Sequence, residues 1–169
     1  MNAVILVEGI SDRLALETLA ARRGRDLAAE GVEIVSIGGA HAITSFLERF
    51  RGLRVAGLCD VGEERVFQRA LGRADIESVG FYICVADLED ELIRALDADA
   101  VEELFAQHGD LNAFRTFQKQ PEWRDRPVEH QMRRMLGSSL GKIRYAPIFV
   151  EALDLERMPR PLDAVLVHV

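Results

Sequence analysis

The feature that most constrains the fold is a regular alternation, over the first hundred residues, of short apolar segments with longer amphipathic ones. The apolar segments predict strands at 3–7, 32–37, 53–59 and 79–85, and each is followed by apolar residues at helical spacing. Strands that are apolar on both faces are typical of a parallel sheet that helices cover on both sides. The pattern therefore predicts an α/β, Rossmann-like open sheet of about four mainly parallel strands flanked by helices.

The rest of the chain is predicted to be mainly helical. Helices are expected at 98–108, 111–118, 126–136 and 139–153. Pro147 predicts a kink or break in the last of these, and only a weak strand signal returns at 164–169. We expect one domain over 1–169, with an α/β core at 1–97 and a mainly helical extension at 98–169.

The composition bears on the cellular compartment of the protein. No apolar segment is long enough to span a membrane, and the first residues lack the basic segment and cleavage site of a signal peptide. Cys59 and Cys84 both lie within predicted strands, where reduced, buried thiols are more typical than a disulfide. We therefore expect a cytoplasmic protein with no membrane partner.

Acidic residues follow three of the four predicted strands. They are Glu8 with Asp12, Asp60 with Glu63 and Glu64, and Asp87 with Glu89, Asp90 and Glu91. Parallel strands end at a common edge, where open α/β sheets bind ligands. Acids that complement a helix dipole are the simpler interpretation of any one cluster. Three clusters at one edge instead favour a divalent metal site, because crowded carboxylates repel without a cation between them.

A basic stretch lies in the helical part, although the net charge of the chain is -7. Residues 113–144 hold eight basic side chains against three acidic ones. The candidates for contacting nucleic acid are Arg115, Lys119, Trp123, Arg124, Arg126, Arg133, Arg134 and Arg144. Cations pair with phosphates and the indole can stack on a base, whereas a solvated helix face is the alternative interpretation.

The motifs at the strand ends together resemble a known domain. They are Glu8-Gly9-Ile10-Ser11-Asp12, Gly38-Gly39, Asp60 and Asp87-Leu88-Glu89. This combination resembles the Toprim domain of topoisomerases and primases, and most closely the Toprim region of the overcoming-lysogenization-defect (OLD) nucleases. The resemblance implies a Toprim-type endonuclease or nickase that cleaves nucleic acid, in that family DNA, with Mg²⁺ or Mn²⁺.

The resemblance also implies roles for particular residues. The metal ligands would be Glu8, Asp12, Asp60, Asp87 and Glu89. Segment 141–146 resembles the OLD region that carries a catalytic lysine, so Glu8, Asp60 and Lys142 are the catalytic candidates. Lys142 is one of only two lysines in the chain, and an ammonium is a compact charge for a developing oxyanion.

Two departures from the family pattern leave alternatives open. Toprim domains usually have Asp-x-Asp after the third strand, whereas this chain has Asp60-Val61-Gly62. Glu63 or Glu64 could replace the second aspartate only if its side chain reaches back to the site, because a helical position one or two residues later points elsewhere. OLD proteins also carry an ATPase domain before the Toprim region, so we expect a stand-alone domain with a separate ATPase partner. The alternatives are a weak or inactive Toprim module that binds nucleic acid or that ATPase, and a receiver-like phosphoacceptor domain.

Overall fold

Four parallel strands form the central sheet in the structure, a computed structural model that describes the backbone of residues 1–169 and every side chain except that of Ser139. The strands are β1 (Ala3–Val7), β2 (Val32–Ser36), β3 (Arg54–Asp60) and β4 (Phe81–Cys84). Their order in the sheet is β2-β1-β3-β4, and all three pairings are parallel. The predicted α/β class and parallel open sheet are therefore confirmed.

Ten α-helices surround this sheet in the described chain. They are α1 (Ile10–Arg22), α2 (Leu27–Glu30), α3 (Ile43–Arg49), α4 (Glu64–Leu71), α5 (Leu88–Leu96), α6 (Ala98–Gln107), α7 (Leu111–Gln118), α8 (Val128–Leu136), α9 (Ser139–Ala152) and α10 (Arg160–His168). Helices α6 to α9 match the predicted bounds to within two residues. Over the part of the chain that the structure describes, no helix has both the length and the apolar character needed to cross a lipid bilayer.

Helices cover both faces of the sheet. Ile5 and Val7 of β1 are fully buried in one core with α1, α5 and α9. The alternate side chains, Val4 and Leu6, are fully buried in a second core with α3 and α4. Successive side chains of a strand point to opposite faces, so a strand covered on both sides must be apolar throughout.

The strand order places a crevice between β1 and β3. The chain runs from β1 to β2 on one side and then returns to β3 on the other, and α1 and α3 cover opposite faces. A reversal of this kind opens a ligand-binding crevice at the carboxyl ends of the two central strands. Glu8 follows β1 and Asp60 ends β3, so both lie at this crevice.

The long helix α9 packs along α1 and against α5 and α8. Arg22 of α1 donates hydrogen bonds from Nη1 to the carbonyl oxygens of Val150 and Leu153, at 2.6 Å and 2.5 Å. The helix continues through Pro147, so the break that the sequence suggested there does not occur. Both acceptors lie after Pro147, so these hydrogen bonds fix the carboxyl-terminal part of α9 to α1, beyond the backbone hydrogen bond that proline removes.

The weak strand predicted at 164–169 is wrong, because this segment belongs to α10. Pro161 lies in the first turn of the helix, where its missing N–H costs nothing. Leu162, Val165 and Leu166 are buried at helical spacing against β3 and β4. The apolar run from residue 164 was too short to distinguish the alternation of a strand from the spacing of a helix.

Both cysteines are buried free thiols, as predicted. Cys59 lies in β3 and Cys84 in β4. Burial, with nearby carboxylates, raises the pKa of the Cys59 thiol to about 12. Such a thiol stays protonated and serves as a small core residue.

Candidate functional site

A cleft of about 540 Å³ opens at the carboxyl edge of the sheet. This acidic cleft is lined by Glu8, Gly9, Ile10, Ser11, Asp12, Gly38, Gly39, Asp60, Asp87, Glu89, Lys142 and Ile143. The structure thus brings all five predicted metal ligands and the predicted catalytic lysine to one place, although three strand ends and α9 contribute them.

Hydrogen bonds hold the loops after β1 and β2 together on one side of the acidic cleft. The N–H of Gly38 donates to the carbonyl of Glu8 at 3.0 Å, and the hydroxyl of Ser36 donates to the carbonyl of Gly9 at 2.9 Å. Gly38 and Gly39 have φ values of 75° and 122°, which glycine adopts without a steric penalty. The Gly38-Gly39 motif is therefore needed for the turn itself.

Three carboxyl groups in the acidic cleft bind protons unusually tightly. Burial is the largest cause for each, and it raises the pKa of Glu8 to about 7 with help from Glu63 and Asp12. The pKa of Asp60 rises to about 7 through burial and the charges of Glu8 and Asp87. The pKa of Asp12 rises to about 6, although the N–H of Gly9 donates to its Oδ2 at 2.7 Å. Such shifts mark a site that lacks positive charge.

Two basic side chains neutralise the other side of the same cleft. Oδ2 of Asp87 accepts a hydrogen bond from Nε of Arg133 at 2.8 Å, and Nη2 of Arg133 forms an ion pair with the same oxygen at 2.8 Å. Lys142 Nζ donates to Oε2 of Glu89 at 3.1 Å, and only 5% of the Glu89 side chain is exposed. The pKa of Lys142 is raised, because attraction to Glu89, Asp87 and Asp12 outweighs the opposing effect of burial. This ammonium is therefore charged at neutral pH.

The carboxylates have unused capacity for a cation. Among the described residues, no three or more Asp, Glu, His or Cys side chains are already arranged around a common ion position. Two buried carboxylate oxygens nevertheless have no hydrogen-bond partner among those residues, Oε1 of Glu89 and Oε2 of Glu63. An unsatisfied buried oxygen is costly, and a hard divalent cation takes such oxygens as ligands. The oxygen donors are of the kind that a hard divalent cation takes, although they are not gathered around one position.

A second cleft of about 490 Å³ adjoins the first and shares Asp87 and Lys142 with it. This basic cleft is lined by Asp87, Trp123, Arg126, His130, Arg133, Arg134, Gly137 and Lys142. It contains four of the eight residues predicted to contact nucleic acid. The Trp123 ring packs on Phe117 at 5.5 Å between centroids, and the Arg134 guanidinium lies 5.9 Å from the indole centroid.

The other four candidates for contacting nucleic acid do not line the basic cleft. Arg115 forms an ion pair with Glu102, and Arg144 forms one with Asp110 at 2.6 Å. Arg124 lies 3.5 Å from the neighbouring Asp125, and Lys119 is exposed. Ion-pair partners 13 and 34 residues away cannot be identified from local sequence.

His130 also lines the basic cleft, although no role was predicted for it. It precedes Arg133 and Arg134 on α8 by three and four residues. Side chains at that spacing share one face of a helix, so the spacing from Arg133 and Arg134 could have placed His130 beside them.

Comparison with known proteins agrees with this fold. Residues 1–60 match the family described as overcoming lysogenization defect protein-like, TOPRIM domain. The C-terminal region of the OLD protein of Xanthomonas campestris pv. campestris superposes with a TM-score of 0.72 at 19% identity, covering 98% of this chain and 92% of that one. The chain has an OLD-like Toprim fold.

A second OLD protein has a similar structure. The C-terminal region from Burkholderia pseudomallei has a TM-score of 0.71 at 14% identity, covering 98% of this chain and 95% of that one. No curated protein matches the chain. The family match includes Glu8, Asp12 and Asp60, whereas Asp87, Glu89 and Lys142 lie beyond it and are related to OLD proteins through the fold alone.

Gly62 occupies the position of the second aspartate in the usual Toprim pattern Asp-x-Asp. Val61–Glu63 form a 3-10 turn before α4, and the Glu63 side chain lies within hydrogen-bonding reach of Glu8. Glu64 instead accepts a hydrogen bond from Gln68 at 2.8 Å. Of the two substitutes that the sequence left open, Glu63 is therefore the one beside the site. A Cβ at position 62 would meet no atom within 4 Å, so an aspartate fits there.

Proposed function

We propose that this protein is a divalent-metal-dependent nucleic-acid phosphodiesterase, an endonuclease or nickase of the Toprim type. The observation that carries the proposal is the acidic cleft at the switch point of the sheet, where carboxyls with raised pKa values adjoin a basic surface. A phosphodiester needs this combination, because its charge requires cations and its cleavage requires an activated water.

The proposed metal ligands are Glu8, Asp12, Asp60, Asp87 and Glu89, with Glu63 in the place of the missing aspartate. The unpartnered oxygens of Glu63 and Glu89 support this assignment. When bound, Mg²⁺ or Mn²⁺ would lower the pKa of a coordinated water and offset charge on the scissile phosphate. Glu8 and Asp60 are the proposed catalytic carboxylates, because they flank the crevice between β1 and β3.

Lys142 is the proposed catalytic cation. It lines both clefts, so a phosphate bound at their boundary would lie beside Lys142 and next to the carboxylates of the acidic cleft. Since its ammonium is held charged by Glu89, it is suited to stabilise a developing oxyanion rather than to accept a proton. Glu89 orients this ammonium through the 3.1 Å contact.

The basic cleft is the proposed path of the nucleic-acid backbone, with DNA as the expected substrate. Arg126 and Arg134 are exposed and in no ion pair among the described side chains, so their guanidinium groups are available to phosphates. Arg133 is held on Asp87, which keeps it beside the site. Arginine suits this role because its planar fork matches phosphate oxygens.

The direct test is nicking of supercoiled plasmid with Mg²⁺ or Mn²⁺. We expect wild type to nick, and Glu8→Gln and Asp60→Asn each to lose activity about 100-fold or more, while keeping the fold. Glu103→Gln, which removes an acid on α6 outside both clefts, is the matched control and should retain activity. An inert wild type, or activity that survives both cleft substitutions, would refute the proposal.

The second candidate function is a module that binds nucleic acid, or a separate ATPase, without cutting. The observation in its favour is that Arg133 and Lys142 already neutralise Asp87 and Glu89, while Gly62 removes one carboxylate. This candidate predicts DNA binding without nicking. The receiver-like alternative needs phosphorylation of Asp60 at the end of β3, so labelling by a small phosphodonor would favour it over both Toprim candidates.

A further inference from the structure

A row of arginines lies on the face of the sheet opposite to α8 and α9. Arg65 and Arg69 on α4, with Arg73 just after the helix, line an open concavity of about 690 Å³ together with Gln68 and Ala74. We name Arg65, Arg69 and Arg73 the α4 row. All three side chains are exposed. The spacing of four residues places Arg65 and Arg69 on one side of α4.

The charges of the α4 row are not neutralised within the described part of the protein. Several exposed arginines pair with carboxylates, for example Arg23 with Asp163 at 2.7 Å and Arg160 with Glu77 at 2.6 Å. Among the side chains that the structure describes, no carboxylate lies within 4.0 Å of a guanidinium of the α4 row. Three uncompensated arginines side by side form a local positive surface in a chain of net charge -7, and such a surface favours an anionic partner.

The position of the α4 row suggests which anion. Helix α4 begins four residues after Asp60, at the edge that carries the acidic cleft, and runs away from that edge on the face buried through Phe67. Helices α8 and α9, which carry the basic cleft, pack on the other face. The α4 row and the basic cleft therefore lie on opposite faces of the sheet, with Arg65 at the end of the row nearer the acidic cleft.

The spacing of the row fits a nucleic-acid strand. Residues four apart on a helix are separated by about 6 Å along its axis. Neighbouring phosphates of one strand are spaced similarly, because the winding of the backbone adds to their axial rise of about 3.4 Å. Arg65 and Arg69 can therefore each meet a phosphate of one strand. Nucleic acid is favoured over an acidic protein because the basic cleft of the same domain is already the proposed path of its backbone.

We propose that the α4 row is a second phosphate-contact surface, which holds the nucleic-acid backbone on the side of the acidic cleft opposite to the basic cleft. This inference rests on the proposed function, because it takes nucleic acid as the substrate. It adds that the substrate crosses the edge of the sheet and contacts both faces of the domain.

The test compares charge-matched variants by fluorescence anisotropy with a labelled duplex, in Ca²⁺ to limit cleavage. Arg65→Gln/Arg69→Gln should weaken binding about fivefold to tenfold at low salt and reduce the slope of log K against log salt by roughly 1.8, since each phosphate contact contributes about 0.9. Arg65→Lys/Arg69→Lys keeps the charge and should bind within about twofold of wild type.

The control is Arg51→Gln/Arg54→Gln, which removes two exposed arginines at the amino end of β3, the edge away from the acidic cleft. We expect this variant to bind within about twofold of wild type. Equal losses in both glutamine variants, or wild-type affinity in the α4 variant, would overturn the role of the α4 row and leave it to solvent or a protein partner. If wild type itself does not bind the duplex, the proposed function fails together with this inference.

Discussion

The acidic cleft and the basic cleft are adjacent but balance charge in opposite ways. In the acidic cleft, burial and mutual repulsion raise the pKa values of Glu8 and Asp60 to about 7, so these carboxyls lack a cation. At the shared boundary, Asp87 and Glu89 have cations of their own, Arg133 and Lys142. The protein thus neutralises the side that faces the basic cleft and leaves the side at β1 and β3 short of positive charge. That difference indicates where an added cation is needed.

The largest effect is expected from removing the ammonium at the boundary. Lys142→Ala should slow plasmid nicking about 100-fold or more, the scale of losing one oxyanion-stabilising group, and Lys142→Arg should not restore the rate because a planar fork cannot replace a compact charge. The comparison is with Lys119→Ala, which removes the only other lysine, an exposed one outside both clefts. Equal rates for the Lys142→Ala and Lys119→Ala proteins would remove Lys142 from the catalytic group.

A smaller effect, of opposite sign, is expected from adding a carboxylate to the uncompensated side. Gly62→Asp restores the Asp-x-Asp pattern at a position with open space around the new Cβ. Because ligand charge strengthens divalent-ion binding, the affinity for Mn²⁺ measured by calorimetry should rise roughly tenfold. If the introduced aspartate and Glu63 bind the ion as alternative ligands, combining Gly62→Asp with Glu63→Gln should return the Mn²⁺ affinity toward that of wild type. Unchanged affinity in Gly62→Asp would mean that position 62 does not face the ion.

The smallest effect concerns stability and pH. Folding raises the pKa values of Glu8, Asp12 and Asp60 above their ordinary values near 4, so between about pH 4 and pH 7 the folded state binds more protons than the unfolded chain. Stability without metal should therefore fall as pH rises through this window and level off above it.

Solvent screens the exposed parts of these carboxyls, so we expect the melting temperature in EDTA to fall by only roughly 3 to 6 °C from pH 5 to pH 8. Glu8→Gln/Asp60→Asn should flatten this profile, and added Mn²⁺ should stabilise wild type more at high pH than at low pH. A melting temperature that rises from pH 5 to pH 8 would contradict the conclusion that folding raises the pKa values of these carboxyls.

Much of the fold could be predicted because its signals are local. The apolar run 3–7 matches β1, and the strand ends followed from where each apolar run stopped. The errors arose where tertiary packing decides the outcome. They are the break suggested at Pro147, where α9 packs along α1 and stays helical, and the strand suggested in α10, whose buried face starts before the apolar run. We also propose that 1–97 and 98–169 fold as one unit, because α9 packs along α1.

The candidate site was predictable to the extent that it depends on strand ends. Glu8, Asp60 and Asp87 follow parallel strands, so the topology alone brings them to one edge. Which of Glu63 and Glu64 lies beside Glu8 was not predictable, since it depends on the 3-10 turn before α4. The pairing of Arg133 with Asp87 spans 46 residues and likewise has no local signal.

The most direct test of the central claim is a calorimetric titration of Mn²⁺ into the protein at about pH 8, where the raised carboxyls are ionised. We predict saturable binding in wild type and in Glu103→Gln, with binding lost in Glu8→Gln/Asp60→Asn. Absence of binding in wild type, or equal binding in all three proteins, would contradict the claim that the acidic cleft is a divalent metal site.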